Sequence, residues 1–153
     1  MLITSISGIR GTIGGAPGEG LTPPDVVKFA TGYAQWIREA TGRQQPTVVV
    51  GRDARLSGSL VRDLLVGTLN AVGVNVIDLG LSTTPTVELA VPAEQADGGI
   101  ILTASHNPRQ WNALKLLDRK GEFLDASAGE RVLVLANGPS NYAEIDAIGG
   151  VEF

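Results

Sequence analysis

The spacing of apolar side chains is helical in some segments of the chain and extended in the segments between them. The helical period predicts helices over residues 22–41, 60–72 and 128–136, with a further short helix opening at Thr84. The first helix has clear end signals, because Thr22 and Asp25 are spaced as a capping box and Gly42 follows as a stop. Ser127 and Glu130 predict a second capping box at the start of the last helix.

Short runs of β-branched and aliphatic residues lie between these helices and predict strands. They cover residues 2–7, 46–51, 74–79 and 98–103, and residues 112–117 are also expected to be extended. The run at 46–51 has no polar face, which indicates a strand buried on both sides. Strands that alternate with helices predict a three-layer α/β/α fold around a mostly parallel, mixed sheet of four strands. Residues 8–20 are expected to form a glycine-rich loop, and residues 137–153 a linker.

The composition fits one ordinary domain. The 153 residues, of which 43% are apolar, suffice for a packed core and argue against disorder. Only 18% are charged, below the usual share of about a quarter, as expected of a domain that has interfaces with other domains. No apolar run is long enough to cross a bilayer, and the N-terminus lacks the pattern of a secretory signal, so a cytoplasmic protein is expected.

The charge pattern narrows the range of ligands. A net charge of −4 argues against general binding to nucleic acid or to anionic membranes. Residues 1–62 nevertheless carry seven Lys/Arg against four Asp/Glu, a balance of +3, which leaves room for a small-anion site. The chain has no cysteine, and its single histidine is His106, so disulfides, thiol catalysis and multi-histidine metal sites are excluded.

Polar side chains concentrate in loops that follow predicted strands. In open α/β sheets, ligands bind beyond the carboxyl ends of the strands. Three such loops and the next extended stretch carry Arg10, Arg52, Asp53, Arg55, Ser105, His106, Asn107, Arg109 and Lys115. Four arginines, a lysine, a hydroxyl and an imidazole form a candidate site for a phosphorylated ligand.

Each part of this candidate site also has a purely structural interpretation. The segment SGIRG can be a tight turn, GRDAR can be an internal Arg–Asp pair that braces a loop, and SHNP can be an ordinary Asn-Pro turn. On an extended stretch, Lys115 shares a face with Ala113 and Leu117, so either its stem lies along these residues or its ammonium group points toward Ser105. Motifs for dinucleotide binding, a phosphate loop and a nucleophile elbow are absent, and adjacent Ser105 and His106 are poorly placed for a hydrolase triad.

Three motifs, in their order and spacing, carry a resemblance to a known family. The segments SGIRG (7–11), GRDAR (51–55) and TASHNP (103–108) resemble the first domain of the α-D-phosphohexomutases, which include phosphoglucomutase, phosphomannomutase and phosphoglucosamine mutase. The resemblance covers residues 1–136, and TASHNP is its most specific part. In one departure, Asn112-Ala113-Leu114-Lys115 stands where the family commonly has Asn-Gly-x-Lys. The chain looks most like the bacterial phosphoglucosamine mutases of Bacteroides relatives.

The resemblance implies the first domain of a four-domain enzyme, with residues 137–153 leading toward a second domain. The enzyme would interconvert hexose 1-phosphate and 6-phosphate through a bisphosphate, with Ser105 as the phosphoserine. The implied roles are positioning and proton transfer for Arg10, His106 and Lys115, phosphate binding for Arg52, Asn107 and Arg109, and a Mg²⁺ ion held by the Ser105 phosphoryl oxygen and by aspartates outside this chain. The division of acid and base roles among the first three stays open.

Two further function classes are compatible with the residues. One is a non-catalytic anion-binding α/β module, and the other is an interaction domain whose loops only brace the sheet. The enzyme hypothesis predicts a hexose phosphate and the remaining domains of the same protein as partners, and neither nucleic acid nor membrane. We expect the fragment alone to be inactive, and a phosphoryl group on Ser105 would distinguish the enzyme from both alternatives.

Overall fold

Seven strands and four helices form within residues 1–5 and 8–153, the part of the chain that the computed structural model describes. The strands are β1 (Leu2–Ser5), β2 (Gly8–Thr12), β3 (Thr47–Arg52), β4 (Asn75–Leu81), β5 (Gly98–Leu102), β6 (Trp111–Leu117) and β7 (Val151–Glu152). The helices are α1 (Pro23–Thr41), α2 (Gly58–Ala71), α3 (Thr84–Ala93) and α4 (Ala126–Ala136). Ile6 and Ser7, which belong to the predicted first strand and to the SGIRG motif, lie outside the described residues.

All seven strands belong to one mixed sheet in the order β1-β2-β6-β5-β3-β4-β7. The pairs β3–β4, β3–β5 and β4–β7 are parallel, whereas β1–β2, β2–β6 and β5–β6 are antiparallel. The predicted α/β/α class is confirmed. The predicted count of four strands is wrong, because β2 and β6 lie between β1 and β5, and the short β7 pairs with β4 at the opposite edge.

Strand β2 accounts for one of these differences. Residues 8–12 were expected to begin a glycine-rich loop, yet they lie between β1 and β6 in full register. Gly8 makes this possible, because a Cβ atom at that position would overlap the carbonyl oxygen of Leu114 on β6. Glycine thus serves here for close approach of two strands, and not for a turn.

The C-terminal segment accounts for another difference. Within residues 137–153, Ile145–Ala147 form a 3₁₀ turn, and β7 pairs with β4. The N–H of Ala143 also donates to the carbonyl of Ala71, at the end of α2. The segment therefore continues the sheet edge, and its role as a linker to a further domain stays a prediction.

The helices pack on both faces of the sheet. Helices α1, α2 and α4 cover one face and contribute to the larger core cluster, and α3 covers the other. Strand β3 confirms the expectation of burial on both sides, since Val48 and Val50 belong to the larger cluster and Val49 to the smaller one. Alternation along a strand is the reason, because successive side chains point to opposite faces.

The start of α1 follows its local sequence. The Asp25 carboxylate accepts hydrogen bonds from the backbone N–H of Thr22 at 3.1 Å and from its hydroxyl at 2.5 Å. The helix ends where Gly42 adopts a left-handed conformation with φ +72° and donates to the carbonyl of Arg38. Both predicted ends are confirmed, because each depends on hydrogen bonds between near neighbours in the sequence.

The start of α4 differs from its prediction. The helix begins at Ala126, and the side chain of Asp125 accepts a hydrogen bond from the N–H of Ala128 at 2.8 Å. The predicted capping box of Ser127 and Glu130 is therefore wrong. Aspartate is as good an N-cap as serine, and Asp125 precedes the helical turn.

Tyr33 connects α1 to the centre of the sheet. Its side chain is fully buried, and its hydroxyl accepts from the N–H of Gly99 at 3.0 Å and donates to the carbonyl of Leu117 at 2.5 Å. A Cβ atom on Gly98 would collide with this hydroxyl. Burial raises the pKa of Tyr33 above its ordinary value of 10.0, because the phenolate loses its hydration.

Replacement of this phenol predicts a measurable loss of stability. Tyr33→Phe removes the hydroxyl that bonds to buried backbone groups of β5 and β6, so we expect the free energy of unfolding in urea to fall by about 1–3 kcal/mol. Tyr142→Phe, at a tyrosine that is 55% exposed, is the matched control and should change little. Because the folded-state pKa is raised, the wild type should also lose stability above about pH 10, and the Phe variant should lack this component. Equal stability of wild type and Tyr33→Phe would contradict the role assigned to this hydroxyl.

Candidate functional site

The carboxyl ends of β2, β3 and β5 lie at the same edge of the sheet. Strands β2 and β5 are both antiparallel to β6, so they run in the same direction, and β3 is parallel to β5. The loops that follow β3 and β5 therefore meet at this edge, next to the start of β6. Arg10 contributes from within β2, where it pairs with Ala113, and not from the loop that the sequence predicts.

Ser105 and Lys115 meet at this edge. The Ser105 backbone is left-handed, with φ +52°, and its N–H donates to the hydroxyl of Thr103 at 3.1 Å. Its own hydroxyl oxygen accepts a hydrogen bond from Lys115 Nζ at 2.6 Å. Lys115 reaches this position from β6, where it pairs with Ile101 of β5. Of the two orientations considered for Lys115, the structure has the one that points to Ser105.

Arg10 approaches the same loop from the neighbouring strand. Its Nη1 donates to the side-chain oxygen of Asn107 at 3.4 Å, a long contact for a hydrogen bond. Arg10 is exposed, and Asn107 is half-buried. Strands β2 and β6 therefore bring a guanidinium and an ammonium group to the loop that carries Ser105.

Arg55 makes four hydrogen bonds to the segment around Ser105. We call residues 103–110, between β5 and β6, the serine loop. Its guanidinium donates to the carbonyls of Ser105 and Asn107 through Nη2, at 2.9 and 2.8 Å. Nη1 donates to the carbonyls of Pro108 and Trp111, at 2.8 and 3.2 Å. Its Nε lies 3.4 Å from Asp53 Oδ2, and only 13% of the side chain is exposed.

The sequence indicated only part of this role. The GRDAR segment suggested an internal Arg–Asp pair that braces a loop, and the pair of Asp53 and Arg55 is present. The loop that Arg55 chiefly braces, however, is the serine loop, 50 to 56 residues further along the chain. The spacing of GRDAR carries no signal for that contact.

The remaining predicted residues are less closely tied to Ser105. His106 and Arg109 are exposed on the same loop. Arg52 donates to the carbonyl of Asp53 at 3.2 Å, so its hydrogen bond holds it on its own loop. Asn112, which begins the segment that departs from the family pattern, is buried and donates to the hydroxyl of Ser57 at 2.9 Å.

The arrangement concentrates positive charge around one hydroxyl. Lys115 contacts the Ser105 oxygen, Arg10 and Arg55 contact its loop, and Asp53 is the carboxylate engaged with Arg55. Cationic donors around an exposed hydroxyl favour an anionic ligand or an anionic group on that oxygen.

The structure was searched for metal ligands in the residues that it describes. Within residues 1–5 and 8–153, no three His, Asp or Glu side chains come together as metal ligands. Asp53 is already engaged with Arg55. In the same part of the chain, no helix is long and apolar enough to span a membrane.

Comparison with known proteins shows the family to which this chain belongs. The family model described as phosphoglucomutase/phosphomannomutase, alpha/beta/alpha domain I, matches residues 2–141. A phosphoglucomutase/phosphomannomutase of Thermococcus kodakarensis is 41% identical over 113 residues, which are 72% of this chain and 25% of the relative. A phosphoglucosamine mutase of Acidovorax sp. (strain JS42) is 32% identical over 142 residues, which are 93% of this chain and 31% of the relative.

Solved structures show the same fold. A phosphoglucomutase/phosphomannomutase family protein from Burkholderia thailandensis matches with a TM-score of 0.73 and 26% identity, covering 98% of this chain and 33% of that one. A candidate phosphomannomutase from Thermus thermophilus matches with a TM-score of 0.79 and 27% identity, covering 99% of this chain and 32% of that one. The chain thus spans about a quarter to a third of the length of these proteins.

Proposed function

Because this chain belongs to the phosphoglucomutase/phosphomannomutase family, as its α/β/α domain I, we propose that it is the phosphoserine-bearing domain of a phosphohexomutase. The observation that carries this proposal is the Ser105 hydroxyl, which is exposed on a left-handed turn and accepts a hydrogen bond from Lys115 at 2.6 Å. The substrate class is a hexose monophosphate, that of glucosamine, glucose or mannose.

The proposed reaction moves one phosphoryl group from Ser105 to the sugar. A hydroxyl oxygen of the hexose monophosphate attacks phosphorus and releases its proton to a base, and the bond between phosphorus and Ser105 Oγ breaks. The resulting hexose bisphosphate turns over in the site and returns its other phosphoryl group to Ser105. Such transfer depends mainly on positioning and on charge stabilisation.

Each nearby cation has a place in this scheme. Lys115 donates to Ser105 Oγ, so it stabilises the negative charge on that oxygen as the phosphoryl group leaves. Arg10 holds Asn107 on the same loop and supplies a second positive charge. His106 and Arg109 are exposed, so they can reach the sugar and its phosphate. His106 would serve proton transfer, and Arg109 would bind phosphate. Arg52, on the neighbouring loop, completes the proposed phosphate-binding residues.

The remaining parts of the enzyme would come from outside this chain. The chain spans only part of its relatives, which supports partner domains that close over the substrate. A Mg²⁺ ion would neutralise phosphoryl charge, with ligands other than Ser105 supplied by those domains. Sugar phosphate metabolism also supports a cytoplasmic location.

Intact mass spectrometry tests the proposal directly. A chain heavier by one phosphoryl group, mapped to Ser105 by fragmentation, is the expected result for protein from its native host. A non-catalytic anion-binding module would carry no such group. It would also bind hexose phosphate equally well with or without the Ser105 hydroxyl.

The isolated 153-residue chain should have no mutase activity. It spans only about a quarter to a third of its relatives' length. We propose that the domains that hold both ends of the substrate lie outside it, and lost positioning of this kind costs several powers of ten in rate. A coupled assay with glucose 1-phosphate and with glucosamine 6-phosphate measures this, and the full-length protein serves as the positive control. Robust turnover by the isolated chain would contradict the expectation.

Ser105→Ala should abolish the phosphoryl carrier and leave the fold intact. In the full-length protein we expect kcat without added hexose bisphosphate to fall at least about a thousandfold, the scale seen when a nucleophile is removed. The melting temperature should hardly change, because Ser105 is exposed. Ser127→Ala, at an exposed serine on α4, is the matched control. Near-normal activity of Ser105→Ala would refute the carrier role.

Lys115→Met should separate catalysis from stability. Methionine keeps the length of the side chain but removes the charge, so we expect kcat of the full-length protein to fall at least about a hundredfold. Thermal stability should stay nearly unchanged. Lys120→Met, at an exposed lysine in the turn after β6, is the control. A clear drop in melting temperature with normal kcat would make Lys115 a structural residue.

A further inference from the structure

Arg55 differs from the other cations of the site because both of its terminal nitrogens donate to main-chain carbonyls of residues 105–111. We propose that Arg55 is a positioning residue that fixes the backbone of residues 105–111 and thereby holds the Ser105 hydroxyl against Lys115. Its consequence for phosphoryl transfer rests on the proposed function. The positioning itself is a property of this chain and can be tested without any reaction.

The geometry of the guanidinium group explains how one side chain can do this. Its two terminal nitrogens each donate to two carbonyls, which belong to Ser105, Asn107, Pro108 and Trp111. These carbonyls span the loop from the serine to the first residue of β6. A planar fork with five N–H donors can hold four acceptors at once, whereas the three donors of a lysine ammonium group lack this fixed geometry.

The backbone of Ser105, which has a positive φ, is held by a hydrogen bond on each side. Ser105 is one of two non-glycine residues with positive φ in the described part of the chain, and such a conformation persists only where the surroundings enforce it. Its N–H is held by Thr103 and its carbonyl by Arg55. Both peptide groups that flank the Ser105 side chain are thus hydrogen-bonded. They set the direction of its Cα–Cβ bond, from which the hydroxyl reaches Lys115.

The burial of Arg55 argues against direct binding of a ligand. Only 13% of its side chain is exposed, and Nη1 and Nη2 already make four hydrogen bonds. Arg10 and Arg109, in contrast, are exposed at the same edge. Loss of Arg55 should therefore disturb the placement of Ser105 more than the affinity for substrate.

Hydrogen exchange on the 153-residue chain tests the positioning. In Arg55→Met and Arg55→Lys we expect the amides of Asn107 and Trp111 to exchange at least about tenfold faster, because both are bonded within the loop. The amide of Ile101 in β5 should keep its rate. Arg131→Met, which breaks an exposed ion pair with Glu39 remote from this loop, is the control. Unchanged loop exchange in both Arg55 variants would overturn the proposal.

Kinetics of the full-length protein supply the second readout. Arg55→Lys should lower kcat at least about tenfold and change KM for the hexose phosphate by less than about twofold. A raised KM with normal kcat would overturn the proposal, because it would make Arg55 a substrate ligand. If Arg55→Met does not fold, Arg55→Lys decides, and unfolding of both would assign Arg55 to the fold and overturn the proposal.

The two proposals can fail separately. An active Ser105→Ala protein, combined with faster loop exchange in the Arg55 variants, would refute the phosphoserine and keep the positioning role. An inactive Ser105→Ala protein, combined with unchanged loop exchange in the Arg55 variants, would keep the phosphoserine and refute the positioning role.

Discussion

The guanidinium of Arg55, held among backbone carbonyls, is the interaction on which the candidate site depends. The loop between β5 and β6 has no regular structure, and three of its carbonyls bond to Arg55, together with the carbonyl of Trp111 at the start of β6. The arginine in turn gives up most of its hydration, which only well-placed acceptors can compensate. The loop and the arginine therefore stabilise each other, and the left-handed conformation of Ser105 depends on these hydrogen bonds.

The mixed direction of the sheet determines which side chains reach the loop. Because β6 returns antiparallel to β5, Lys115 lies beside Ile101, close to the end of β5 and to Ser105. Strand β2 then adds Arg10 on the other side of β6, and the glycine at position 8 permits that close pairing. A purely parallel sheet would have carried the chain after Ser105 across a helix before the next strand. The local positive charge thus follows from strand direction and register.

The positive charge near Ser105 is compatible with membership of the phosphoglucomutase/phosphomannomutase family. The Ser105 hydroxyl is exposed and hydrogen-bonded to an ammonium group, on a loop that two arginines contact. This suits a phosphate ester better than a hydrolase triad, in which a histidine would have to bond to the serine. Within its described residues the chain holds no group of three His, Asp or Glu side chains that could bind a metal, and the proposed function assigns the remaining Mg²⁺ ligands to further domains. The low share of charged residues is in keeping with surfaces that meet such domains.

The sequence by itself determined what depends on near neighbours or on periodicity. It predicted the ends of α1, the burial of Val48 to Val50 on both faces, the α/β/α class and the family resemblance. Caps and alternation were predictable because they act over a few residues. The tertiary structure decided the rest. Residues 8–12 form a strand only through pairing with β1 and β6, and Arg55 meets the serine loop only after the sheet has brought them together. Contacts between residues about 50 or more positions apart leave no local pattern, because they depend on the register of strands and on the packing of loops, which no short segment encodes.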